Sequence, residues 1–462
     1  MKNSKLFGTN GIRFILNVDF DLDFVSKISQ VLGVFFKKGP ILVGYDGRNT
    51  SKLLSDVISN NLNKIGLDVD LSDLIPTPAL QYSVKTSNYN GGVMVTASHN
   101  PPEYSGIKVI SDDGVEIDRD DEKIIEKLYY DNISKSDWSL DCASLNRGVL
   151  LKNSSVRNYY VDGILNHVNV ELIKSMNFKI VIDSGNGVQM FTAPNLLKKL
   201  GCTIYEINNS LDGNFPGRGP EPIPDKLSEL KQVVLEKQAD LGIAYDGDGD
   251  RSIFCDSNGN FYNGDIIGSI LTNFLMSKYD GKLNYKPIIV TPISSSKLID
   301  DISEKYNAQV IRTKVGSVDV SRTIISNNAI IGFEENGGFI YSPHQSVRDG
   351  GITSALILEM LSNNNKSLLT LSSDYPILYQ FKTKINFDKN KLNEILSKLL
   401  ELEYENIEKI DGVKLWFNSD TWVLIRSSGT EPAVRIFAES NDKNYLNDVC
   451  STCIKIINES IE

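Results

Sequence analysis

Three times along the chain the same succession of segments recurs: an apolar strand, a helix, a second strand, a further helix, a third strand and a polar, glycine-containing loop. In the first copy, ILVGYD (41–46) predicts a buried strand, SKLLSDVISNNLNKIG (51–66) a helix stopped by glycine, and LDVDLSD a second strand. TPALQYSV follows as a short helix, and GGVMVTAS (91–98) as the third strand, leading into IKVIS. The second copy runs FKIVIDS (178–184), the helix around APNLLKKLG, CTIYEIN, the helix DKLSELKQVVLEKQA, and LGIAYD (241–246), with SIFCDSNG next. The third runs PIIVTP (287–292), SKLIDDISEKY, AQVIRTKV, VDVSRTIISNN and AIIGFE (329–334), then FIYS. Strands alternating with helices imply α/β layers of parallel type, whose ligands sit beyond the carboxyl ends of the strands. In all three copies the third strand enters such a loop: TASHNPP, YDGDGDR and FEENGG. Three comparable loops on three similar modules can line one cleft. The C-terminal part differs: YQFKTKINFD, a helix, GVKLWFN, TWVLIRSS and AVRIFAES suggest an α+β unit with a mostly antiparallel sheet. We divide the chain at 1–150, 151–256, 257–370 and 371–462.

At 462 residues the chain is too long for one hydrophobic core. Its 48 Lys and Arg against 59 Asp and Glu give a net charge of −11, which argues against nucleic acid or an anionic membrane as partner. A small anionic substrate needs only a local basic cluster. The five cysteines, Cys142, Cys202, Cys255, Cys450 and Cys453, are odd in number and widely spaced, which fits a reducing compartment. Cys450 and Cys453 fall in a helical pattern with no second pair, so we read them as buried residues one turn apart, not as zinc ligands. The start, MKNSKLFGTNGIRF, lacks the apolar core of a signal peptide, and no apolar run reaches the length of a membrane span. We expect a cytoplasmic protein.

DGDGDR (246–251) places carboxylates at alternate positions of an extended segment, so Asp246, Asp248 and Asp250 can converge on one hard cation. Gly247 and Gly249 let the backbone curl around it. Few carboxylates, with room for phosphate oxygens or water, suit Mg²⁺. An EF-hand is excluded, because its glycine and glutamate positions hold Arg251 and Ser257. TASHNPP (96–102) sets Ser98 at the end of a buried strand, followed by His99 and Asn100, in a loop stiffened by two prolines. A hydroxyl beside a metal-binding loop can carry a phosphoryl group whose oxygens complete the metal's coordination. Lys108 can neutralise phosphate charge. RSSGTEPAVR (426–435) offers the hydroxyls of Ser427, Ser428 and Thr430, an anion-binding backbone around Gly429, and Arg426 or Arg435 for bidentate contact. EENGG (334–338) supplies Glu334 and Asn336, which can bond to sugar hydroxyls. DSGNGV (183–188) lacks the third glycine of a dinucleotide loop and predicts a tight strand-to-helix turn; no Walker A sequence is present.

These four loops, in this order, resemble the α-D-phosphohexomutase superfamily over essentially the whole chain. TASHNPPEYSGIK is similar to its phosphoserine loop, DGDGDR to its metal loop, EENGG to its sugar-specificity loop and RSSGTEP to its phosphate-binding loop. The resemblance implies three related α/β domains with mixed sheets around a central cleft, plus a C-terminal α+β domain. It implies Ser98 as phosphoserine and metal neighbour, Asp246, Asp248 and Asp250 as ligands, and Arg13, in FGTNGIR, lining the active site beside His99 and Lys108. Arg251, Lys314, Glu334 and Asn336 match residues facing the catalytic or sugar site, and Arg426, Ser428, Gly429, Thr430 and Arg435 those around the phosphate. One departure stands out: many bacterial members read Glu-x-Ser-Gly-His in the sugar loop, where this chain has Asn336 and Gly338, a variant similar to that of archaeal members.

The implied activity interconverts hexose or hexosamine 6-phosphate and 1-phosphate through a phosphoserine enzyme and a hexose 1,6-bisphosphate, with Mg²⁺. The expected partners are small sugar phosphates, and a homodimer is an open option. A metal-assisted phosphatase and a sugar-phosphate-binding regulator on an inactive scaffold are the rivals; intact Ser98 and all three aspartates argue against the second. Glucose, mannose and glucosamine phosphates are left equal by the sequence, as are the oligomeric state and the general acid–base.

Overall fold

A computed structural model describes residues 5–133, 146–279, 282, 285–387, 391–427 and 433–461. The chain forms four sheets. The first holds β1 (Ile12–Ile15), β2 (Ile41–Tyr45), β3 (Val69–Leu74), β4 (Gly92–Val95), β5 (Tyr104–Ile110) and β6 (Leu150–Asn153), in the order β1-β5-β4-β2-β3-β6. The second holds β7 (Lys179–Asp183), β8 (Thr203–Ile207), β9 (Leu241–Tyr245), β10 (Ser252–Asp256) and β11 (Phe261–Tyr262), in the order β11-β10-β9-β7-β8. The third holds β12 (Ile288–Pro292), β13 (Gln309–Thr313), β14 (Ile331–Phe333) and β15 (Phe339–Tyr341), in the order β13-β12-β14-β15. Each contains the same kernel: the module's first strand lies parallel between the second and third, and a fourth runs antiparallel beside the third. The sheets are thus mixed, as the family resemblance implies: parallel strands alternate with helices, and the strand after each polar loop returns as an antiparallel hairpin. The first sheet extends to Asn153 and the second to Tyr262, so both cross the limits drawn at 150 and 256.

β2 and β9 are buried along their whole length, the pattern of strands covered on both faces. One apolar cluster runs from Leu42, Ile75 and Leu80 through Ile180 and Leu241 to Ile289, Ile331 and Leu356, so the three α/β modules share a core. The fourth sheet is antiparallel throughout: β16 (Tyr379–Asn386), β17 (Asn406–Glu408), β18 (Val413–Asn418), β19 (Thr421–Ser427) and β20 (Ala433–Ser440), in the order β16-β20-β19-β18-β17. It has its own core, closed by the helix Lys443–Ile461, which buries Cys450 and Cys453. These two, Cys202 and Cys255 are free thiols; Cys142 lies outside the described residues. Among the described residues no helix is long and apolar enough to cross a membrane.

Candidate active site

The strand expected to reach Ser98 stops at Val95, and the reason is chemical. Thr96 donates its hydroxyl to Asp46 at 2.6 Å, and its Oγ1 accepts the Ser98 N–H at 2.8 Å, which turns the chain out of the sheet. Ser98 then adopts φ +51°, a conformation rare outside glycine, and is buried. Its hydroxyl donates to Asp246 Oδ2 at 3.1 Å and lies 3.4 Å from His99 Nδ1.

The loop after β9 brings its three carboxylates together in buried positions, with one oxygen of each within 4.8 Å of the others. It packs so closely on the serine loop that a Cβ on Gly247 would lie 2.7 Å from the Ser98 carbonyl oxygen. Lys108, on β5, is fully buried and reaches Asp248 Oδ2 at 2.8 Å and Asp250 Oδ2 at 3.2 Å. Burial opposes its charge, but Asp248 and Asp250 outweigh burial and hold the ammonium above its ordinary range. Asp248 also accepts from the Thr77 hydroxyl at 2.5 Å; burial pushes its carboxyl up, and Lys108 and Thr77 more than reverse this. At Asp246 the balance falls the other way: burial and the charges of Asp250 and Asp248 outweigh Arg251 and raise it well above the carboxylate range. Asp248 Oδ1 and Asp250 Oδ1 are buried without a hydrogen-bond partner. Orphaned carboxylate oxygens are costly in a protein interior. Together with a set of hard oxygen donors, they fit a divalent cation such as Mg²⁺.

Cations ring the triad. The Arg251 side chain lies 3.8 Å from Asp250 and 4.0 Å from Asp246. Arg13, half-buried on β1, spans Gly106 of β5, and burial pulls its guanidinium down to about 10, still charged at neutral pH. Arg251, burial and Arg348 together hold His99 well below the ordinary imidazole range, so it is neutral and can accept a proton. Glu334, buried at the end of β14, meets Arg348, whose Nη1 donates to Glu334 Oε2 at 2.8 Å and Nη2 to Asp250 Oδ2 at 2.6 Å. The first three loops thus meet at one point.

The remaining candidates are placed less directly. Asn336 is half-buried, and its Oδ1 caps the Gly338 N–H within the turn. Lys314 is exposed beyond β13. Arg426 is ion-paired with Asp411 at 2.8 Å. Arg435 stands opposite Arg426 on one side and Lys384 on the other, a row of three cations across β19, β20 and β16. Ser428, Gly429 and Thr430 lie outside the described residues. Sequence reasoning missed Arg48, Thr77, Lys384 and Arg348. None belongs to a motif, and each reaches its site from a distant stretch of chain.

Family profiles match in four consecutive blocks: phosphoglucomutase/phosphomannomutase alpha/beta/alpha domain I over residues 4–135, domain II over 158–259, domain III over 263–378, and the C-terminal domain over 388–455. The phosphoglucosamine/phosphogalactosamine mutase of Sulfurisphaera tokodaii is 44% identical, covering 98% of this chain and 99% of that protein. The phosphoglucomutase/phosphomannomutase of Thermococcus kodakarensis is 36% identical, with 99% of each covered. A phosphoglucomutase/phosphomannomutase family protein from Burkholderia thailandensis has the same fold at 22% identity, with a TM-score of 0.87 over 99% of this chain and 97% of that one. The chain belongs to the phosphoglucomutase/phosphomannomutase family and is an intramolecular phosphotransferase acting on hexose or hexosamine phosphates.

Proposed function

We propose that Ser98 carries the phosphoryl group and that Asp246, Asp248 and Asp250 hold Mg²⁺ beside it. The observation that carries this reading is the Ser98 hydroxyl 3.1 Å from Asp246, at the edge of a triad with orphaned oxygens. In the first half-reaction the free 1- or 6-hydroxyl of the sugar attacks the phosphorus on Ser98. The new O–P bond forms as the Ser98 Oγ–P bond breaks, giving a hexose 1,6-bisphosphate. After the bisphosphate turns over, Ser98 Oγ attacks the phosphorus of the other phosphate; the new Oγ–P bond forms as the bond from that phosphorus to the sugar oxygen breaks, which releases the sugar hydroxyl and regenerates the phosphoenzyme. Neutral His99, 3.4 Å from Oγ, is placed to relay the proton: from the attacking sugar hydroxyl to Ser98 Oγ in the first step, and from the Ser98 hydroxyl to the released sugar oxygen in the second. Lys108 and Arg251 offset charge on the transferring group, and bound Mg²⁺ supplies the divalent part of that stabilisation. Arg13 faces the same group. Glu334 and Asn336 orient the sugar hydroxyls. Arg426, Arg435, Lys314 and the loop sequence Ser428, Gly429 and Thr430 hold the phosphate that is not reacting.

The substrates we assign are glucosamine, glucose and mannose phosphates, in a cytoplasmic setting. The two relatives named above carry hexosamine and hexose activities in their names. The test is intact-protein mass spectrometry with an equilibrium assay on glucose 1-phosphate and glucosamine 6-phosphate. The expected result is one phosphate on Ser98, isomer formation dependent on Mg²⁺, and near-complete loss in Ser98→Ala. Free phosphate as the product, or phosphate on another residue with Ser98→Ala fully active, overturns the reading.

A further inference from the structure

Arg348 lies in no recognisable motif, yet it joins two of the active-site loops. It precedes the helix Gly350–Asn364, is only 5% exposed, and spreads one planar fork over two carboxylates: Asp250 of the metal loop and Glu334 of the sugar loop. Among the described residues it is the one cation ion-paired with Glu334, whereas Asp250 is shared with Lys108. Its path also explains why the sugar loop ends in Gly338. A Cβ there would lie 2.2 Å from Arg348 Cδ and 2.9 Å from Cγ, so any larger residue must push the side chain off its two partners. Where a side chain at position 338 would stand, this chain has the stem of Arg348.

We propose that Arg348 is a positioning residue that couples the metal triad to the sugar loop, so that cation binding and sugar-phosphate capture strengthen one another. This rests on the reading of Asp250 as a metal ligand and Glu334 as a sugar contact. Asp250 gives Oδ2 to Arg348 and Lys108, and its Oδ1 is buried without a hydrogen-bond partner, with Arg251 Nε 3.8 Å away. A divalent ion held by Asp250 would draw negative charge away from Arg348 and leave more of the guanidinium's attraction to Glu334. Glu334 is then held more firmly in the orientation that meets the sugar. By linkage, a sugar phosphate that fixes Glu334 raises cation affinity by the same factor. The same charge repels the cation directly, so removing Arg348 must affect the two ligands in opposite directions.

Isothermal titration of the unphosphorylated enzyme tests this without turnover, using Mg²⁺ alone and glucosamine 6-phosphate with and without Mg²⁺. In the wild type, Mg²⁺ should tighten sugar-phosphate binding about tenfold, within the usual range of coupling between sites. Arg348→Met should bind Mg²⁺ about tenfold more tightly, because one nearby positive charge is gone, and sugar phosphate more weakly, with the coupling reduced to about one. Arg348→Lys keeps the charge but replaces the two-nitrogen planar fork, one nitrogen on each carboxylate, with a single ammonium; it should retain Mg²⁺ affinity and lose the coupling. Gly338→Ala should weaken the coupling with no change of charge. Coupling absent from the wild type or intact in Arg348→Lys, or both affinities falling together in Arg348→Met, overturns the proposal. Asp250→Asn and Glu334→Gln are the controls. An unchanged Mg²⁺ affinity in the first or sugar affinity in the second overturns the site reading, and the coupling with it.

Discussion

At the scale of single residues, the serine loop owes its shape to one guanidinium. Arg48 is buried and donates from Nη2 to the carbonyls of Ser98 and Asn100 at 2.7 and 2.6 Å, and from Nη1 to those of Pro101 and Tyr104 at 2.7 and 3.0 Å. Asp46 holds it from behind at 3.3 Å. A left-handed serine costs about 1–3 kcal/mol unless its surroundings impose it, and four carbonyls fastened to one fork impose it. Arg48→Lys should leave the KM for hexose phosphates within about twofold and lower kcat about 100-fold, the scale of an ångström's misplacement at a reacting atom. Steady-state kinetics on protein shown to be folded by circular dichroism checks this; a rise in KM with kcat unchanged would mean that Arg48 serves sugar binding instead. The triad was legible in the sequence because its three carboxylates stand at alternate positions of one strand-end loop. Arg48 was not, because it sits in a short strand-to-helix connection, and nothing local says that it folds across residues 98–104. Arg348 and Thr77 were illegible for the same reason.

At the scale of elements, the strand-helix periodicity located the three modules well, since buried apolar strands and amphipathic helices carry their own signal. It could not show where β4 ends, because that is set by side-chain bonds between Thr96, Asp46 and Ser98. Nor could it show that Lys384, Arg435 and Arg426 share a row, which depends on strand register. Like charges directly opposed across a sheet weaken it; Asp411, ion-paired with Arg426, offsets part of that repulsion, and an anion held between the row's members would offset more. β18 of the same sheet carries a second buried cation. Lys414 is 1% exposed, donates to the Ile293 carbonyl at 3.1 Å, and lies 4.7 and 4.0 Å from the ring centres of Trp416 and Trp422. The indole faces favour the ammonium, but burial prevails and, with Arg312, pulls it from 10.5 to about 7. Between these values the unfolded chain holds a proton that the folded one has lost, so stability rises with pH across that window. Lys414→Met lacks this titration. It should unfold well above the wild type at pH 7, and the gap should close towards pH 10 by at most about 1.4 kcal/mol per pH unit. Scanning calorimetry across that range is the check; a gap independent of pH would mean that the lysine stays charged between the two rings.

At the scale of the whole molecule, the three α/β modules share one apolar core, which the fourth joins only through its first residues, Leu371, Tyr375 and Leu378, while its sheet has a core of its own. The fourth module instead touches the third through a small apolar patch, where Ile293 packs with Trp422, Leu424 and Phe437, and through polar contacts. Lys297 pairs with Asp420, Lys382 with Glu335, Gln380 with Asn263 and Asp265, and Asp411 accepts the Val315 N–H. Among the described residues from Ser373 onwards, the hydrogen bonds and ion pairs that leave the fourth module end on the third, while Ser372 meets Tyr262 of β11 at 2.9 Å. A unit joined on one side by largely polar contacts is free to pivot, since such interfaces cost little to rearrange. The chemistry requires a pivot if Ser98 and the cationic row of the fourth sheet are to grip opposite ends of one small bisphosphate, with the sugar between them reversed for the second transfer. A ligand carrying phosphate at one end and hydroxyls at the other should therefore draw the fourth module inwards. Inorganic phosphate, which can occupy only one end, should not. Small-angle X-ray scattering of the unphosphorylated enzyme with Mg²⁺ should show a radius of gyration that falls on saturation with glucose 1,6-bisphosphate and stays unchanged with inorganic phosphate. Lys297→Met, which removes the Asp420 contact, should enlarge the ligand-free radius and still close with bisphosphate. A radius insensitive to bisphosphate would mean that the fourth module is already set in its working position, and that the sugar turns over inside a cleft of fixed width.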